Sequence, residues 1–232
     1  MILAIIPARY GSVGIPRKNT IDFCGKPLIQ HTIEAAMKSK FIDEIIVTSD
    51  DNEVLKIANS LGLKYNCKRP KELATKTTPM FDVVVHVLDW FNNIKGKMPD
   101  KILLLQPSSP LRTYLDIDAA IKLMNEENSE SLVSVHKVSE HPFECVKMNK
   151  NKWTFLAKPF QKIFRRQDFL EDYYFINGAI YLLNTNFFLK SKTFLVEGKS
   201  LLYEMPKQRG IDIDDELDLK IAKSIFELNF SS

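Results

Sequence analysis

The sequence contains few cysteines, and their positions exclude two kinds of structural framework. Cys24, Cys67 and Cys145 are odd in number and widely spaced, with no CxxC pair and no histidine at metal-ligand spacing. Neither a set of disulfides nor a zinc site is therefore expected. Reduced thiols are typical of a cytoplasmic protein, and we expect that location.

The sequence also lacks a long hydrophobic run and a cluster of positive charge. Its apolar N-terminal stretch is only a few residues long and runs directly into Pro7 and Arg9, so neither a signal peptide nor a membrane span is expected. The formal net charge is only +3, and no lysine–arginine run lies along a predicted helix face. Membranes and nucleic acids are therefore not expected as partners, whereas small anionic molecules fit this charge.

What the sequence does contain is enough apolar material for one large domain. With 232 residues, 45% of them apolar, the chain is predicted to form a single domain over residues 1–232. Apolar runs alternate with amphipathic stretches, which predicts an α/β fold with a mostly parallel sheet. Strands are predicted at Ile2–Ile6, Glu44–Thr48, Lys101–Leu105 and Leu132–Val135. Helical spacing of apolar residues predicts helices between them and an apolar stripe on a C-terminal helix, made of Leu217, Ile221, Ile225 and Leu228.

This alternation is interrupted from roughly residue 136 to residue 175. Short apolar segments on both sides of Asn149-Lys150-Asn151 predict a β-hairpin. A strand resumes at Asn177–Tyr181, after four basic residues, Lys158, Lys162, Arg165 and Arg166. We interpret residues 136–175 as a small inserted lobe that mediates dimerisation.

The first predicted strand ends in a basic loop that contains glycine. Arg9, Arg17 and Lys18 supply fixed positive charge, and the loop around Gly11 and Gly14 offers free backbone N–H groups. Both features are typical of a site for a polyphosphate, so a nucleotide is predicted to bind here. The alternative is a basic, solvated turn between a strand and a helix.

Two other loops are predicted to share one rim of the sheet with the basic loop, because ligands collect at the carboxyl ends of parallel strands. Thr48 is followed by Ser49-Asp50-Asp51, and Leu105 is followed by the segment Gln106–Arg112. For Arg112, a structural ion pair is about as good an explanation as a ligand contact.

An alternating acidic segment lies near the C-terminus. In Ile211-Asp212-Ile213-Asp214 the carboxylates are two residues apart, and on an extended backbone such side chains share a face. Asp212 and Asp214 are therefore predicted to hold Mg²⁺, which needs few protein carboxylates when phosphate oxygens complete its shell. Asp215 and Glu216 are equally well explained as residues of a helix N-terminus.

Together these motifs resemble the CMP-sialic acid synthetases, also called acylneuraminate cytidylyltransferases. The resemblance covers nearly the whole chain. It rests on the ordered occurrence of Arg9, Gly14-Ile15-Pro16-Arg17-Lys18-Asn19, Gly25-Lys26-Pro27-Leu28, Arg69-Pro70, Gln106–Arg112, Arg165-Arg166-Gln167-Asp168, Asn177–Tyr181 and Asp212-Ile213-Asp214. The family implies a Rossmann-like nucleotide-diphospho-sugar transferase fold and a homodimer. It also implies an enzyme that joins CTP to the anomeric hydroxyl of a nine-carbon 2-keto sugar acid and releases pyrophosphate, with Mg²⁺ as cofactor.

The resemblance also implies a role for individual residues. The nucleotide would be held by Arg9, Gly11, Gly14, Lys18, Asn19 and Arg69. The sugar acid would be held by Gln106, Ser108, Ser109, Arg166 and Asn177. Mg²⁺ would be held by Asp212 and Asp214, which with Arg9 and Lys18 would form the catalytic set.

Departures from the family pattern leave the sugar open. Tyr10 and Val13 stand where many members have a small residue and a lysine, so one phosphate-facing cation is absent unless Arg17 replaces it. Glu144 stands where lysine is common. Sialic, legionaminic and pseudaminic acids therefore all remain candidate substrates.

Three other functions remain open on the sequence. A CMP-Kdo synthetase is the nearest, because Pro7-Ala8-Arg9-Tyr10 resembles its opening loop. A sugar-transferring enzyme of related fold would explain the acidic pair but not the basic loop. A non-catalytic nucleotide-binding regulatory protein would explain the departures at Val13 and Glu144. A P-loop kinase is excluded, because the stretch from Gly11 to Lys18 lacks the required spacing.

Overall fold

A central β-sheet organises the computed structural model, which describes residues 1–12, 14–157 and 172–230. The strands are β1 (Ile2–Pro7), β2 (Asp22–Phe23), β3 (Lys26–Pro27), β4 (Glu44–Ser49), β5 (Tyr65–Lys68), β6 (Lys101–Leu104), β7 (Ser131–Lys137), β8 (Val146–Asn149), β9 (Lys152–Phe155), β10 (Tyr174–Asn184) and β11 (Leu201–Glu204). Seven of them form the sheet, in the order β11-β7-β10-β6-β1-β4-β5.

The sheet is parallel at every described pairing except those of β10. This strand runs antiparallel to both of its neighbours, β6 and β7, while the pairs β1·β4, β1·β6, β4·β5 and β7·β11 are parallel. The predicted α/β fold with a mostly parallel sheet is confirmed, and so are the four predicted strands to within two residues at each end.

Helices cover both faces of the sheet. They are α1 (Leu28–Lys38), α2 (Asn52–Ser60), α3 (Met80–Lys95), α4 (Tyr114–Glu126), α5 (Thr185–Ser191) and α6 (Glu216–Phe230). Because neighbouring strand residues point to opposite faces, Ala4 and Ile6 pack with α1, α2 and α4, while Leu3 and Ile5 pack with α3 and α5. The sheet is therefore buried on both faces, and a ligand can reach it only at the ends of the strands.

A third apolar cluster joins the two ends of the chain. Ile15 of the basic loop packs with Leu111, Ile213 and Ala222, so the basic loop, the loop after β6 and the acidic segment meet beside α6. This packing brings the basic loop against the acidic segment, which lies about 200 residues later in the sequence.

The apolar stripe predicted on the C-terminal helix is mostly exposed, and of its four residues only Ile225 packs against the core. Leu217, Ile221 and Leu228 are exposed, at 64%, 43% and 85% of their full accessibility. The helix packs instead through a neighbouring face, with Leu219, Ala222, Ile225 and Phe226. The helical spacing of apolar residues could not show which of these two faces packs on the core, because both faces are apolar.

The predicted hairpin is present as β8 and β9, which pair only with each other in the described structure. All eight of their residues are exposed, including Met148, Trp153 and Phe155. No helix in the described ranges is long and apolar enough to cross a membrane.

Candidate active site

A cavity of about 270 Å³ opens at the carboxyl ends of the parallel strands. Eight of its lining residues are ones that the sequence assigns to the site: Arg9, Gly14, Lys18, Asn19, Arg69, Gln106, Ser108 and Asp214. They come from the loops after β1, β5 and β6 and from the acidic segment before α6. The long-range packing of the fold therefore gathers the predicted groups around one space.

The basic loop is closed by hydrogen bonds within the site. The Asn19 carboxamide donates to the Arg9 carbonyl oxygen at 3.0 Å. Lys18 Nζ donates to the Ile213 carbonyl oxygen at 2.5 Å and forms an ion pair with Asp214 at 3.2 Å. Lys18 thus links the loop after β1 to the acidic segment and places a positive charge between them.

Gly14 allows this close contact between the basic loop and the acidic segment. A Cβ atom at position 14 would lie 1.9 Å from the Asp214 carbonyl oxygen, which is far inside van der Waals contact. The backbone around Asp214 would have to move to admit any other residue. Gly11 is less restricted, since a Cβ atom there would lie 3.6 Å from Arg9 Nη1.

The acidic segment is extended and fixed in place. Ile213 is fully buried, and its N–H donates to the Ser108 carbonyl oxygen at 2.8 Å. Ile213 points into the core, and on an extended backbone Asp212 and Asp214 would share the opposite face. Asp214 lines the cavity, whereas Asp212 is not among its lining residues. The carboxylate of Asp214 is largely exposed, whereas Asp212 is partly buried.

The chemistry of this carboxylate pair fits Mg²⁺. Oδ1 of Asp212 is buried and has no hydrogen-bond partner among the described residues. Burial raises the pKa of Asp212, a hydrogen bond with Ser108 opposes the rise, and the negative charge of Asp214 adds to it. A divalent cation would offset both the burial and the repulsion. No group of three or more metal-ligating acids, histidines or cysteines occurs in the described ranges, so phosphate oxygens would have to complete the shell.

Arg69 lies in the wall of the cavity and is nearly buried. Its Nη2 donates to the Thr48 carbonyl oxygen at 2.8 Å, which holds the guanidinium against the end of β4. Burial lowers the pKa of Arg69 to about 10; the charge of Asp50 opposes this shift and that of Arg9 adds to it. The side chain remains a cation at neutral pH, so Arg9, Lys18 and Arg69 together make the cavity positive.

The sugar-side candidates lie on the loop after β6 and on β10. Gln106 and Ser108 line the cavity, whereas Ser109 is fully buried and its hydroxyl has no partner among the described residues. The Asn177 carboxamide oxygen accepts hydrogen bonds from Ser134 Oγ at 2.6 Å and from the Ala179 N–H at 3.1 Å. Asn177 is therefore committed to holding β10, and its contact with a sugar stays a prediction. Arg166 lies outside the described residues.

Other charged residues near the motifs have structural partners. Arg17 forms an exposed ion pair with Glu53 and lies over the ring of Tyr10. It is not among the residues that line the cavity, and its role as a phosphate-facing cation stays a prediction. Asp51 is the N-cap of α2, where it accepts from the Glu53 N–H at 2.9 Å. Asp50 accepts from the Tyr10 N–H at 2.8 Å.

Four lining residues were not predicted from the sequence: Pro7, Ser12, Met80 and Pro107. Pro7, Ser12 and Pro107 lie within segments that the sequence analysis singles out, but no role was assigned to these three residues. Met80 is different, because it begins α3 and reaches the cavity only through the packing of that helix on the sheet. Pro79 marks the start of this helix, but the sequence there contains no pattern that indicates a cavity contact.

A mostly parallel α/β sheet whose rim carries cations and the Asp214 carboxylate around one cavity is typical of a phosphate-binding enzyme of the nucleotidyltransferase type. The family model described as Cytidylyltransferase matches residues 3–221, and the chain belongs to this family.

Named relatives agree with this family. The chain is 36% identical to an N-acylneuraminate cytidylyltransferase of Escherichia coli O18:K1:H7, covering 97% of this chain and 52% of the relative. It is 33% identical to a CMP-N,N'-diacetyllegionaminic acid synthase of Legionella pneumophila, covering 98% and 97%. It is 30% identical to a pseudaminic acid cytidylyltransferase of Campylobacter jejuni, covering 99% and 98%. The chain thus spans about half of the first relative and nearly all of the other two.

A solved structure of similar fold is a CMP:2-keto-3-deoxy-manno-octonic acid synthetase complexed with CTP. The TM-score is 0.70 at 19% sequence identity, and the match covers 99% of each chain. At this identity the likeness is one of fold, and it confirms the predicted architecture.

Proposed function

We propose that this protein is a Mg²⁺-dependent cytidylyltransferase that couples CTP to the anomeric hydroxyl of a nine-carbon 2-keto sugar acid. The products would be the CMP-sugar and pyrophosphate. The observation that carries this proposal is the meeting of Lys18 with the acidic segment in a cavity also lined by Arg9 and Arg69. Relatives named for sialic, legionaminic and pseudaminic acids support the substrate class.

The cations would act on the triphosphate. The reaction replaces the pyrophosphate group at the α-phosphorus by the sugar oxygen, so negative charge must be neutralised and both reactants held in line. Arg9 and Lys18 line the cavity with fixed positive charge, and the Asn19 carboxamide keeps their loop closed. The backbone around Gly11 and Gly14 lies beside these cations and is suited to bind phosphate oxygens through N–H groups.

The acidic pair would hold Mg²⁺ against the phosphates. When bound, the metal would supply charge for the phosphate oxygens and for the attacking hydroxyl. Asp212 offers its unpartnered oxygen and Asp214 an exposed carboxylate. Lys18 bonds to the same segment, and this positions the pair relative to the basic loop.

The loop after β6 would bind the sugar acid. Gln106 and Ser108 offer an amide and a hydroxyl at the cavity, which suit the hydroxyl groups of a sugar. Ser109, Asn177 and Arg166 are retained as sugar-side candidates on the family resemblance. Arg166 would meet the sugar carboxylate with its two parallel N–H donors.

Two further expectations accompany this function. We propose a homodimer, supported by the exposed apolar side chains of the β8–β9 hairpin. We also propose a cytoplasmic location, where CTP would be supplied and where the three cysteines, which are free here, would stay reduced.

A substrate panel tests the proposal. Pyrophosphate release is measured with CTP and Mg²⁺ against sialic, legionaminic, pseudaminic and Kdo acids, with ATP, GTP and UTP as nucleotide controls. Release that requires CTP and one nonulosonic acid supports the proposal and identifies the sugar. Release with Kdo alone would favour the CMP-Kdo synthetase, and CTP binding without release under any sugar acid would favour a regulatory protein.

A further inference from the structure

Arg112 lies directly behind the sugar side of the cavity and is almost completely buried, at 2% exposure. Its Nη1 donates to the carbonyl oxygens of Gln106, at 3.2 Å, and Ala179, at 2.8 Å. Its Nη2 donates to Thr32 Oγ1 of α1 at 2.8 Å. The side chain therefore ties together three elements, and two of its acceptors are main-chain carbonyls.

Those two carbonyls lie where the ladder between β6 and β10 stops. The antiparallel register pairs Leu104 with Tyr181 at the end of the ladder. Continuing this register by two residues would place Gln106 opposite Ala179. The guanidinium of Arg112 instead bridges these two residues, so it occupies the position at which the strands separate.

The backbone of β10 depends on side chains in this stretch. Its register against β7 shifts between Ile176 and Tyr181. Ser134 Oγ accepts from the Ile180 N–H at 2.8 Å, and Asn177 Oδ1 accepts from the Ala179 N–H. Arg112 donates to the Ala179 carbonyl oxygen. The irregular segment is thus held by three side chains in place of a ladder.

The separation of the strands places the Gln106 side chain. Gly178 has φ of +73°, and a Cβ atom there would lie 3.6 Å from Gln106 Nε2. The Gln106 carboxamide therefore packs on the bare backbone of β10, at a distance set by the spacing between the two strands. A change in that spacing would move Gln106 relative to the cavity that it lines.

Among the described residues the Arg112 guanidinium forms no ion pair with a carboxylate. Burial lowers the pKa of Arg112 to about 10, and the charge of Asp116 opposes this shift. Burying a cation in this way is costly. A role in main-chain geometry explains why a guanidinium is used, because its planar group can donate to two carbonyls and a hydroxyl at once.

We propose that Arg112 is a positioning residue for the sugar acid: it holds β6 and β10 apart and thereby sets the place of Gln106 in the cavity. The proposal deepens the proposed function and rests on it only for the identity of the ligand that Gln106 meets. Arg112 is buried and is not among the residues that line this cavity. Its loss is expected to affect the sugar side of the reaction and to spare the nucleotide side.

The first test uses Arg112→Lys and a readout that needs no substrate. Lysine keeps the charge but cannot bridge both carbonyls with a fixed planar group. Amide hydrogen exchange is expected to become about tenfold faster in segments 105–109 and 177–181 and to stay unchanged around the basic loop. Unchanged exchange in both segments would overturn the proposal, whether or not the protein proves to be a cytidylyltransferase.

The second test is kinetic. Arg112→Lys is expected to raise the KM for the sugar acid about tenfold and to leave the KM for CTP within about twofold. A double variant with Gln106→Ala should show little further rise, because both changes act through one contact. Equal changes in both KM values, or additive changes in the double variant, would overturn the positioning role. If the wild type released no pyrophosphate from CTP with any sugar acid, the proposed function itself would be contradicted.

Two further variants guard against a folding defect. Thr32→Val removes only the Nη2 acceptor and should raise the sugar KM in the same direction but less, whereas Thr32→Ser should behave like the wild type. Asp118→Asn is a control for a general loss of stability. Asp118 lies on α4, is buried like Arg112, and accepts a hydrogen bond from Ser39 Oγ at 2.6 Å, but it makes no contact with Arg112 or Gln106 among the hydrogen bonds of the described residues. It should lower stability without changing either KM. A similar sugar-selective effect of Asp118→Asn would overturn the proposal.

Discussion

The two carboxylates of the acidic segment, which we propose to hold Mg²⁺, have different surroundings. Asp212 has an unpartnered buried oxygen, and Asp214 contacts Lys18. Asp212→Asn and Asp214→Asn are each expected to lower kcat at least about a hundredfold with the fold retained, because the charge on the metal site is removed. Steady-state pyrophosphate release and circular dichroism measure the two parts of this prediction. Near-normal turnover in both variants would contradict the metal assignment.

Asp215 provides a matched control for these substitutions. Its Oδ1 accepts from the N–H groups of Leu217 and Asp218, at 2.8 and 3.0 Å, so it caps the start of α6. Asp215→Asn retains a capping side chain, and Asp215→Ala should cost about 1 kcal/mol of unfolding free energy. Neither should change kcat appreciably, since the carboxylate serves the helix.

Gly14 gives a second prediction for a single residue. Gly14→Ala would place a methyl group on the Asp214 carbonyl oxygen, so the acidic segment must shift. We expect a large loss of kcat. Gly198→Ala is the control, because Gly198 has φ of +71° but open space around it. That variant should lose about 1 kcal/mol of stability and keep its kcat; an equal loss of kcat in both would contradict the steric argument.

Much of the candidate site could be predicted from residue types at strand ends. Arg9, Arg69 and Gln106 each follow a parallel strand, and this position alone directs them to the rim. The committed hydrogen bonds of Asn177 could not be predicted, because the break in β10 that Asn177 supports has no sequence signature. Arg112 was ambiguous for a similar reason: its acceptors are main-chain carbonyls, which every residue has.

The short 3-10 helix Lys207–Gly210 carries the chain into the acidic segment, and one ion pair anchors it. Arg209 donates to Asp116 Oδ1 through Nε and Nη2, at 3.1 and 2.9 Å, and the Asp116 side chain is fully buried. Arg209→Gln would leave that carboxylate without its cation. We expect the free energy of unfolding to fall by about 3 kcal/mol, measured by urea denaturation.

An exposed ion pair is the control for this element. Lys26 and Glu34 join β3 to α1 at 2.8 Å, and the Lys26 side chain is well exposed. Lys26→Gln should cost less than about 1 kcal/mol. Equal costs for the two substitutions would show that Arg209 does not anchor the segment.

His31 on α1 makes stability depend on pH. Its ring packs edge-on against Phe23 and Phe226, and Nε2–H donates to the Phe23 carbonyl oxygen at 2.8 Å. Burial lowers the pKa of His31. The unfolded chain therefore binds the proton more readily, and stability should fall as the pH drops below about 6.5. Chemical denaturation of His31→Phe between pH 5 and 8 should show a shallower fall; an unchanged slope would contradict this origin.

At the level of elements, the alternation of apolar runs with amphipathic stretches predicted the parallel part of the sheet well. Buried runs such as Ile2–Pro7 are apolar on both faces, and such runs are typical of parallel strands between helices. The antiparallel direction of β10 could not be predicted, since the alternation of residues is the same in either direction. The packing face of α6 was missed because tertiary contacts selected between two apolar faces.

On the scale of the whole molecule, the exposed hairpin is the surface that most needs a partner. Met148, Trp153 and Phe155 project from two short strands that pair with no other described strand. A double substitution, Met148→Lys with Trp153→Lys, is expected to convert the proposed homodimer to a monomer in sedimentation experiments.

The exposed stripe of α6 supplies the control for that experiment. Leu228→Lys changes an apolar residue that is more exposed than either hairpin residue and should leave the sedimentation coefficient unchanged. A monomeric wild type would contradict the dimer, and dissociation by Leu228→Lys alone would move the interface to α6.

The central claim is that a sugar oxygen replaces pyrophosphate at the α-phosphorus of CTP. Phosphorus NMR of the purified protein with CTP, Mg²⁺ and the nonulosonic acids observes this change directly. The account predicts that the three CTP signals give way to one phosphodiester signal and one pyrophosphate signal, in a one-to-one molar ratio of products, only when a sugar acid is present. Persistence of the CTP signals with every sugar acid, or conversion to CDP and phosphate, would contradict it.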